Sequence, residues 1–113
     1  MIKRFDVWLA DLNPRFGTEP GKIRPVVIIQ TNLLNEKHPS TLICPITSKI
    51  HPESDILRIS LSKNEAGLKI KSDILVDQIR AIDNVRLKKR VGAINEDSRI
   101  NLMQSLKIVL DLS

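Results

Sequence analysis

The strongest chemical signal in this chain is a glycine-containing loop, residues 17–22, that leads into an apolar strand through Arg24. Pro25 disfavours helical backbone at the residue before it, and proline is tolerated where a strand begins. The sequence therefore predicts an extended Arg24 held at the start of a rigid strand. A guanidinium mounted in this way can bind a phosphate or stabilise a transition state, although a plain surface charge at a strand end would leave the same pattern.

Further polar residues stand close to the ends of apolar strands. Thr18 and Glu19 lie in the glycine-containing loop, Thr47 ends an apolar run, and Gln78 closely follows another. Strand ends that a bent sheet brings together can converge on one rim, where these side chains would share a site with Arg24. Taken singly, the threonine is typical of any strand and the glutamine indicates nothing. Convergence is the decisive observation, and it depends on the fold.

Metal, cofactor and thiol chemistry have little support in the sequence. His38 and His51 precede prolines in polar loops and have no cysteine partner at ligand spacing, so both are predicted to be surface residues. Cys44, the only cysteine, sits in an apolar run and is predicted to be a buried, inert thiol. No phosphate-loop or dinucleotide-binding fingerprint occurs. We therefore expect neither a metal nor a cofactor.

Composition indicates a polyanionic partner. The 113 residues carry 18 Lys and Arg against 13 Asp and Glu, a net charge of +5, which favours nucleic acid or an acidic protein segment. Aromatic residues make up only 3% of the chain, so base stacking cannot be the main mode of binding. Neither a signal-peptide pattern nor an apolar run of membrane-spanning length is present, and we expect a cytoplasmic protein.

Hydrophobic periodicity predicts several short strands followed by one helix. The predicted strands cover residues 5–11, 23–31, 41–47, 56–61 and 72–77, with a polar connection at 32–40, a helical turn at 86–90, an extended segment at 91–94 and a helix at 96–110. Pro45 indicates an edge strand or a bulge, and alternation places Leu57, Ile59 and Leu61 inward. Asn95 is the predicted helix N-cap, and Ile100 is predicted to lie on the apolar face of the helix. The pattern predicts one mainly β domain, residues 1–113, built as a strongly bent sheet or small barrel with a C-terminal helix.

An ordered set of segments resembles the MazF/PemK family of toxin-antitoxin endoribonucleases. The matching segments are residues 6–11, Gly17-x-Glu19, Lys22-x-Arg24-Pro25 with the apolar run 26–30, Pro45-Ile46-Thr47, and residues 76–83. Any one of them is a weak signal, whereas the ordered set is specific. The resemblance runs from the N-terminus to about residue 87, and the helix that follows fits as well. Phe5 departs from the pattern, because relatives usually carry glycine there, and this change concerns the entry into the first strand.

The resemblance implies a compact SH3-like β-barrel of the MazF/CcdB type that forms a homodimer. It also implies sequence-specific, metal-independent cleavage of single-stranded RNA through the 2′-hydroxyl, which leaves a 2′,3′-cyclic phosphate and a 5′-hydroxyl. Carried over by matching position, Arg24 and Thr47 would be catalytic, and Thr18, Glu19 and Gln78 would contact the substrate. The general base is open, with Glu19 a candidate on chemical grounds alone. A cognate antitoxin with an acidic C-terminal segment would cover the RNA groove.

Two other functions are compatible with the same fold. A related toxin family poisons DNA gyrase by protein binding, so the fold does not decide the function. An inactive RNA-binding barrel is the other alternative, with the basic run at residues 86–90 holding phosphates. That run is equally compatible with a solvated, charged turn.

Overall fold

The computed structural model describes residues 1–14, 17–18, 22–50 and 57–112, which form antiparallel strands and a C-terminal helix. The strands are β1 (Asp6–Asp11), β2 (Ile23–Ile28), β3 (Ser40–Thr47), β4 (Arg58–Leu61), β5 (Ser72–Leu75), β6 (Arg80–Asp83) and β7 (Leu87–Ala93), and the helix is α1 (Glu96–Val109). Short 3₁₀ turns lie at Glu65–Gly67, Val76–Gln78 and Asn84–Arg86. The predicted mainly β fold with a C-terminal helix is confirmed.

The strands form one sheet in the order β4-β5-β3-β2-β1-β7, and β6 pairs with β3 beside this path. In the part of the chain that the structure describes, β4 and β7 end the path and do not pair with each other. The backbone pairing therefore stays open. The predicted closure into a compact SH3-like β-barrel of the MazF/CcdB type is not confirmed by this pairing.

Strand β3 is the centre of the sheet, and the prediction that Pro45 marks an edge or a bulge is wrong. Residues 40–43 of β3 pair with β6, whereas Ile46 and Thr47 pair with β5. Pro45 lies between these two stretches, paired with Val26 on its other side. A central strand tolerates proline here because the missing N–H falls where β3 changes partners.

Apolar side chains of β2 are buried on both faces of the sheet. Val27 belongs to the cluster that packs under α1 with Leu102 and Leu106, whereas Val26 and Ile28 belong to a second cluster on the opposite face. Because side chains alternate between faces along a strand, one apolar run contributes side chains to both clusters. This confirms the prediction of a strand buried on both faces, although β2 ends at Ile28 rather than at residue 31.

Helix α1 begins with the predicted cap. Asn95 Oδ1 accepts a hydrogen bond from the Ser98 backbone N–H at 2.9 Å. Leu102 and Leu106 are buried, but Ile100 is 50% exposed and does not lie on the buried face as predicted, because two residues of helix turn a side chain by about 200°. Among the described residues, no helix is long and apolar enough to cross a membrane.

Other boundaries also differ from the predicted ones. The basic run at 86–90 is not a helical turn, since β7 begins at Leu87 and pairs with β1. Strand β5 ends at Leu75, and the residues after it form a 3₁₀ turn. Leu57, predicted to point inward, precedes β4 and is 41% exposed. Ile59 and Leu61 are buried as predicted.

Phe5 adopts a left-handed backbone with φ of 73°. This is a conformation that glycine adopts readily and that costs a bulky residue about 1–2 kcal/mol. The Phe5 backbone accepts from Ile94 N at 3.1 Å and donates to Ile28 O at 2.7 Å, so the residue ties β2 to the end of β7. The Arg4 and Arg99 guanidinium carbons lie 4.7 and 5.4 Å from the ring centroid and offset part of the backbone cost.

Candidate active site

Arg24 is the second residue of β2, where its side chain is half-buried. Pro25 follows it in extended backbone, as predicted, and the strand begins at Ile23, its predicted first residue. Pairing with β1 sets Arg24 opposite Ala10, so the backbone that carries the guanidinium belongs to the interior of the sheet. The arginine is thus mounted on a rigid element rather than on the loop that precedes it.

Thr47 is the last residue of β3 and comes close to Arg24 through the strand register. The recorded pairs between these strands end at Val26 opposite Pro45. Continued by two residues, the same register sets Arg24 opposite Thr47. Directly opposed residues of antiparallel strands point to the same face with Cβ atoms about 4.5–5.5 Å apart. The two residues that the sequence singled out most strongly therefore lie on paired strands, two positions beyond the last pair of the ladder.

The Thr47 hydroxyl has one defined partner. Its Oγ1 accepts a hydrogen bond from the Lys49 backbone N–H at 3.1 Å, and the residue is 7% exposed. A hydroxyl that accepts through its oxygen keeps its own hydrogen for donation. Thr47 can therefore donate to an oxygen of a bound ligand while the turn at residues 47–49 holds the side chain.

A cationic pocket of about 270 Å³ adjoins this end of β2 and β3. The described residues that line it are Lys22, Ile23, Arg24, Pro25, Ile46, Ser48, Leu68, Lys69, Ile70 and Ser72. Three of these side chains are cationic and none is a carboxylate, so the pocket suits an anion. Thr47 is not among the residues that line this pocket, whereas its neighbours Ile46 and Ser48 are.

Of the other predicted substrate contacts, Thr18 and Gln78 lie within the residues that the structure describes. Thr18 is exposed and follows Gly17, whose φ is 55°, whereas Glu19 lies outside the described residues. Gln78 is half-buried in the 3₁₀ turn that links β5 to β6. Because both of those strands pair with β3, Gln78 is brought beside the strand that carries Thr47. The described geometry gives no direct contact for Thr18.

Three polar residues at the site escaped the sequence analysis. Asp73 is directly opposite Thr47 in the pairing of β5 with β3 and is only 2% exposed. Its Oδ2 is 3.2 Å from Arg58 Nη1, and Ser60 Oγ donates to its Oδ1 at 3.3 Å. The alternation of residues 57–61 predicted that Arg58 and Ser60 point away from the core. It did not predict that Asp73 is their partner. An aspartate inside an apolar strand was the signal, since a buried carboxylate requires partners.

The basic run at residues 86–90 serves the sheet itself. Arg86 Nη1 donates to the Asp11 carbonyl at 2.9 Å and also to the carbonyl of Asn13. Arg90 Nη2 is 3.3 Å from Asp6 Oδ1, a carboxylate whose side chain is almost fully buried. Both arginines thus join β7 to β1, and this use weakens the interpretation of the run as a dedicated phosphate-binding face.

Cys44 is buried, and His38 is the histidine that the structure describes. Burial, with a smaller contribution from the Asp77 charge, raises the pKa of the Cys44 thiol to about 12, which confirms the predicted inert thiol. His38 is exposed as predicted, and His51 lies outside the described residues. Within the described ranges, no group of three or more His, Cys, Asp or Glu side chains could hold a metal ion.

Replacement of Cys44 by alanine is expected to leave the cleavage of any RNA substrate close to the wild-type rate, because a buried, protonated thiol does not act as a nucleophile. Iodoacetamide at pH 8 should label the thiol slowly in the folded protein and rapidly in denaturant. Mass spectrometry and initial rates measure both effects. Fast labelling of the native protein, or a rate loss without a change in melting temperature, would contradict an inert thiol.

Known proteins resemble this chain over almost its whole length. The profile of the family described as "PemK-like, MazF-like toxin of type II toxin-antitoxin system" matches residues 3–110. The chain is 38% identical over 113 residues to the endoribonuclease MazF of Staphylococcus epidermidis, an alignment that covers 100% of this chain and 94% of that protein.

Solved structures share the fold at lower identity. MazF from Deinococcus radiodurans superposes with a TM-score of 0.82 at 20% identity and covers 97% of this chain and 96% of its own. A mycobacterial endoribonuclease in complex with its cognate antitoxin superposes with a TM-score of 0.82 at 14% identity, covering 100% of this chain and 98% of its own.

Proposed function

Because this chain belongs to the PemK-like, MazF-like toxin family of type II toxin-antitoxin systems, we propose that it is an endoribonuclease toxin that cuts single-stranded RNA at short sequences. The observation that supports the proposal is the pairing of β2 with β3, whose register, continued beyond Val26 and Pro45, sets Arg24 opposite Thr47, together with a cationic pocket at Arg24. The match to the endoribonuclease of Staphylococcus epidermidis, at 38% identity, covers the whole chain.

The proposed reaction is a transesterification within the RNA. The 2′-hydroxyl attacks the adjacent phosphorus, the bond to the 5′-oxygen breaks, and the products are a 2′,3′-cyclic phosphate and a 5′-hydroxyl. Arg24 stabilises the extra charge on the phosphorane through charge-assisted hydrogen bonds, and Thr47 donates its hydroxyl to the same phosphate. A guanidinium keeps its protons near neutrality, so we assign Arg24 charge stabilisation rather than proton donation.

The remaining assignments rest on matching position. Thr18, Glu19 and Gln78 are proposed to contact the RNA, with Glu19 the candidate general base because a carboxylate can accept the 2′-hydroxyl proton. Gln78, in the 3₁₀ turn after β5, is proposed to contact nucleotides next to the scissile phosphate. The chemistry needs no metal, since charge stabilisation comes from the arginine and the nucleophile from the substrate.

The direct test is to incubate the pure protein with a long single-stranded RNA of mixed sequence in EDTA and to map the new ends. Discrete cuts at a short motif, with 5′-hydroxyl ends, are expected. Protection of the RNA without cuts would instead support an inactive RNA-binding protein. Absence of both, together with inhibition of DNA gyrase, would support a gyrase poison of the same fold.

We further propose one cytoplasmic domain over residues 1–113 that acts as a homodimer, with its bent sheet related to the SH3-like barrel. Apolar side chains along α1 and its end remain exposed, among them Ile100, Ile108 and Leu110. Exposed apolar side chains of this kind are suited to bury against a second copy. Multi-angle light scattering at micromolar concentration is expected to give the mass of a dimer, and a stable monomer would reject the proposal.

A cognate antitoxin with an acidic C-terminal segment is the proposed regulator. The cationic pocket at Arg24 favours carboxylates as well as phosphates, so antitoxin and RNA should compete for one groove. We expect an uncleavable RNA analogue to lose affinity for the toxin as the antitoxin peptide is added, and association of the peptide to slow as salt rises. Fluorescence anisotropy measures both. Simultaneous binding without mutual loss of affinity would reject a shared groove.

A further inference from the structure

We propose that Arg58 and Asp73 form a positioning pair that holds the Thr47 hydroxyl in the orientation needed to donate to the scissile phosphate. The inference rests on the proposed function, because it assumes that Thr47 contacts the phosphate. Neither residue belongs to the motifs that identified the site. Both act through backbone and neighbouring side chains rather than on the substrate.

The contacts form a continuous chain from Asp73 to Thr47. Arg58 Nη1 lies 3.2 Å from Asp73 Oδ2 and donates to the Lys49 carbonyl oxygen at 2.7 Å. The N–H of the same residue, Lys49, donates to Thr47 Oγ1 at 3.1 Å. The Arg58 guanidinium therefore links the turn that follows β3 to a carboxylate on β5. The same turn binds the Thr47 hydroxyl through the Lys49 N–H.

This arrangement decides where the Thr47 proton points. The lone pair of Oγ1 that faces the turn is occupied by the Lys49 N–H, so the hydroxyl hydrogen is directed away from residue 49. The Lys49 backbone is thus hydrogen-bonded on both sides, through its carbonyl to Arg58 and through its N–H to Thr47. Loss of the Arg58 contact frees this turn, because Lys49 is exposed and has no other recorded backbone partner among the described residues.

The pair also controls charge beside the site. Asp73 is directly opposite Thr47 and its side chain is 3% exposed, so an unpaired carboxylate there would repel a phosphate at the threonine. Arg58 compensates that charge, and Ser60 Oγ donates to the second carboxylate oxygen. With both oxygens partnered, the buried acid is stabilised in its place and the face around Thr47 stays favourable to an anion.

The first test is steady-state cleavage of an RNA containing the mapped motif. Arg58→Ala is expected to lower kcat roughly tenfold to a hundredfold with KM changed much less, since small misplacement of a reacting group has effects of this size. Arg58→Lys, which keeps the charge and one donor, should recover part of the loss. In a Thr47→Ala background, Arg58→Ala should have little further effect, because it acts through Thr47. Equal losses in both backgrounds would overturn the proposal in favour of a general structural role.

Arg90→Ala is the matched control, since it also removes a cation from a buried aspartate, Asp6, at the far side of the sheet. It is expected to lower the melting temperature without changing kcat. If Arg58→Ala does not fold, as judged by circular dichroism, the Arg58→Lys variant carries the test, and an unchanged kcat in that variant would overturn the proposal.

A second readout does not depend on cleavage. Hydrogen exchange of the Lys49 amide, followed by NMR, should be at least about tenfold faster in Arg58→Ala than in the wild type, while amides of α1 keep their protection. Unchanged exchange at Lys49 would overturn the positioning role even if RNA is cut. Conversely, the wild type could cut no RNA while the Lys49 amide still exchanges faster in Arg58→Ala than in the wild type. That result would reject the proposed function and keep the structural link between Arg58 and Thr47.

Discussion

Replacement of Arg24 by alanine is expected to lower RNA cleavage at least about a hundredfold while the protein stays folded, because donors that stabilise transition-state charge typically contribute 10²–10³ in rate. The side chain is half-buried at the second position of β2, and no apolar core residue is lost. Single-turnover cleavage measures the rate, and thermal melting checks the fold.

Arg24→Lys should restore little of this activity, since an ammonium lacks the planar pair of donors that a phosphate accepts. Thr47→Ala should also be impaired. Lys37→Ala, which removes an exposed cation from the turns between β2 and β3, is the control and should cut normally. Near-wild-type cleavage by Arg24→Ala would reject the assignment of this end of β2 as the active site.

An RNA with a single 2′-deoxynucleotide on the 5′ side of the mapped cut is expected to resist cleavage at that position completely, the largest effect predicted for this protein. The proposed nucleophile is that hydroxyl, and the one thiol of the chain is buried and protonated. The described residues also hold no cluster that could bind a metal to activate water. Gel electrophoresis shows whether the strand is cut, and mass spectrometry identifies the ends.

The matched control is the same RNA with the deoxynucleotide moved two positions along the strand, which should be cut at the normal site. This control separates the chemical role of the hydroxyl from its effect on binding. Cleavage at the deoxy position, or a 5′-phosphate on the product, would mean that water or a protein group attacks the phosphorus. Either result would require a different mechanism for the site at Arg24 and Thr47.

Local patterns were sufficient to predict much of the fold. Alternation over residues 5–11 predicted β1, Pro25 predicted the extended backbone at Arg24, and Asn95 predicted the start of α1, all of which the structure confirms. The apolar surroundings of Cys44 likewise predicted its burial. These features succeed because capping, proline stereochemistry and side-chain periodicity act between residues close together in the chain.

Local patterns failed where a residue's state depends on a distant strand. Pro45 was predicted at an edge, yet it lies in the central strand because β6 and β5 divide the partners of β3 around it. The basic run at 86–90 was predicted as a helical turn. Most of it belongs to β7, because these residues pair with β1. Closure of the sheet into a barrel was also expected, and the recorded pairing leaves it open.

By itself, then, the sequence determined that this is a mainly β chain with one C-terminal helix, and it singled out Arg24 and Thr47 as residues with chemistry to offer. Only the tertiary structure decided that the strands carrying these two residues pair with each other and that Asp73 lies opposite Thr47, held by Arg58. The reason is physical: alternation assigns each side chain to a face, but the register between strands far apart in the chain selects its neighbours on that face.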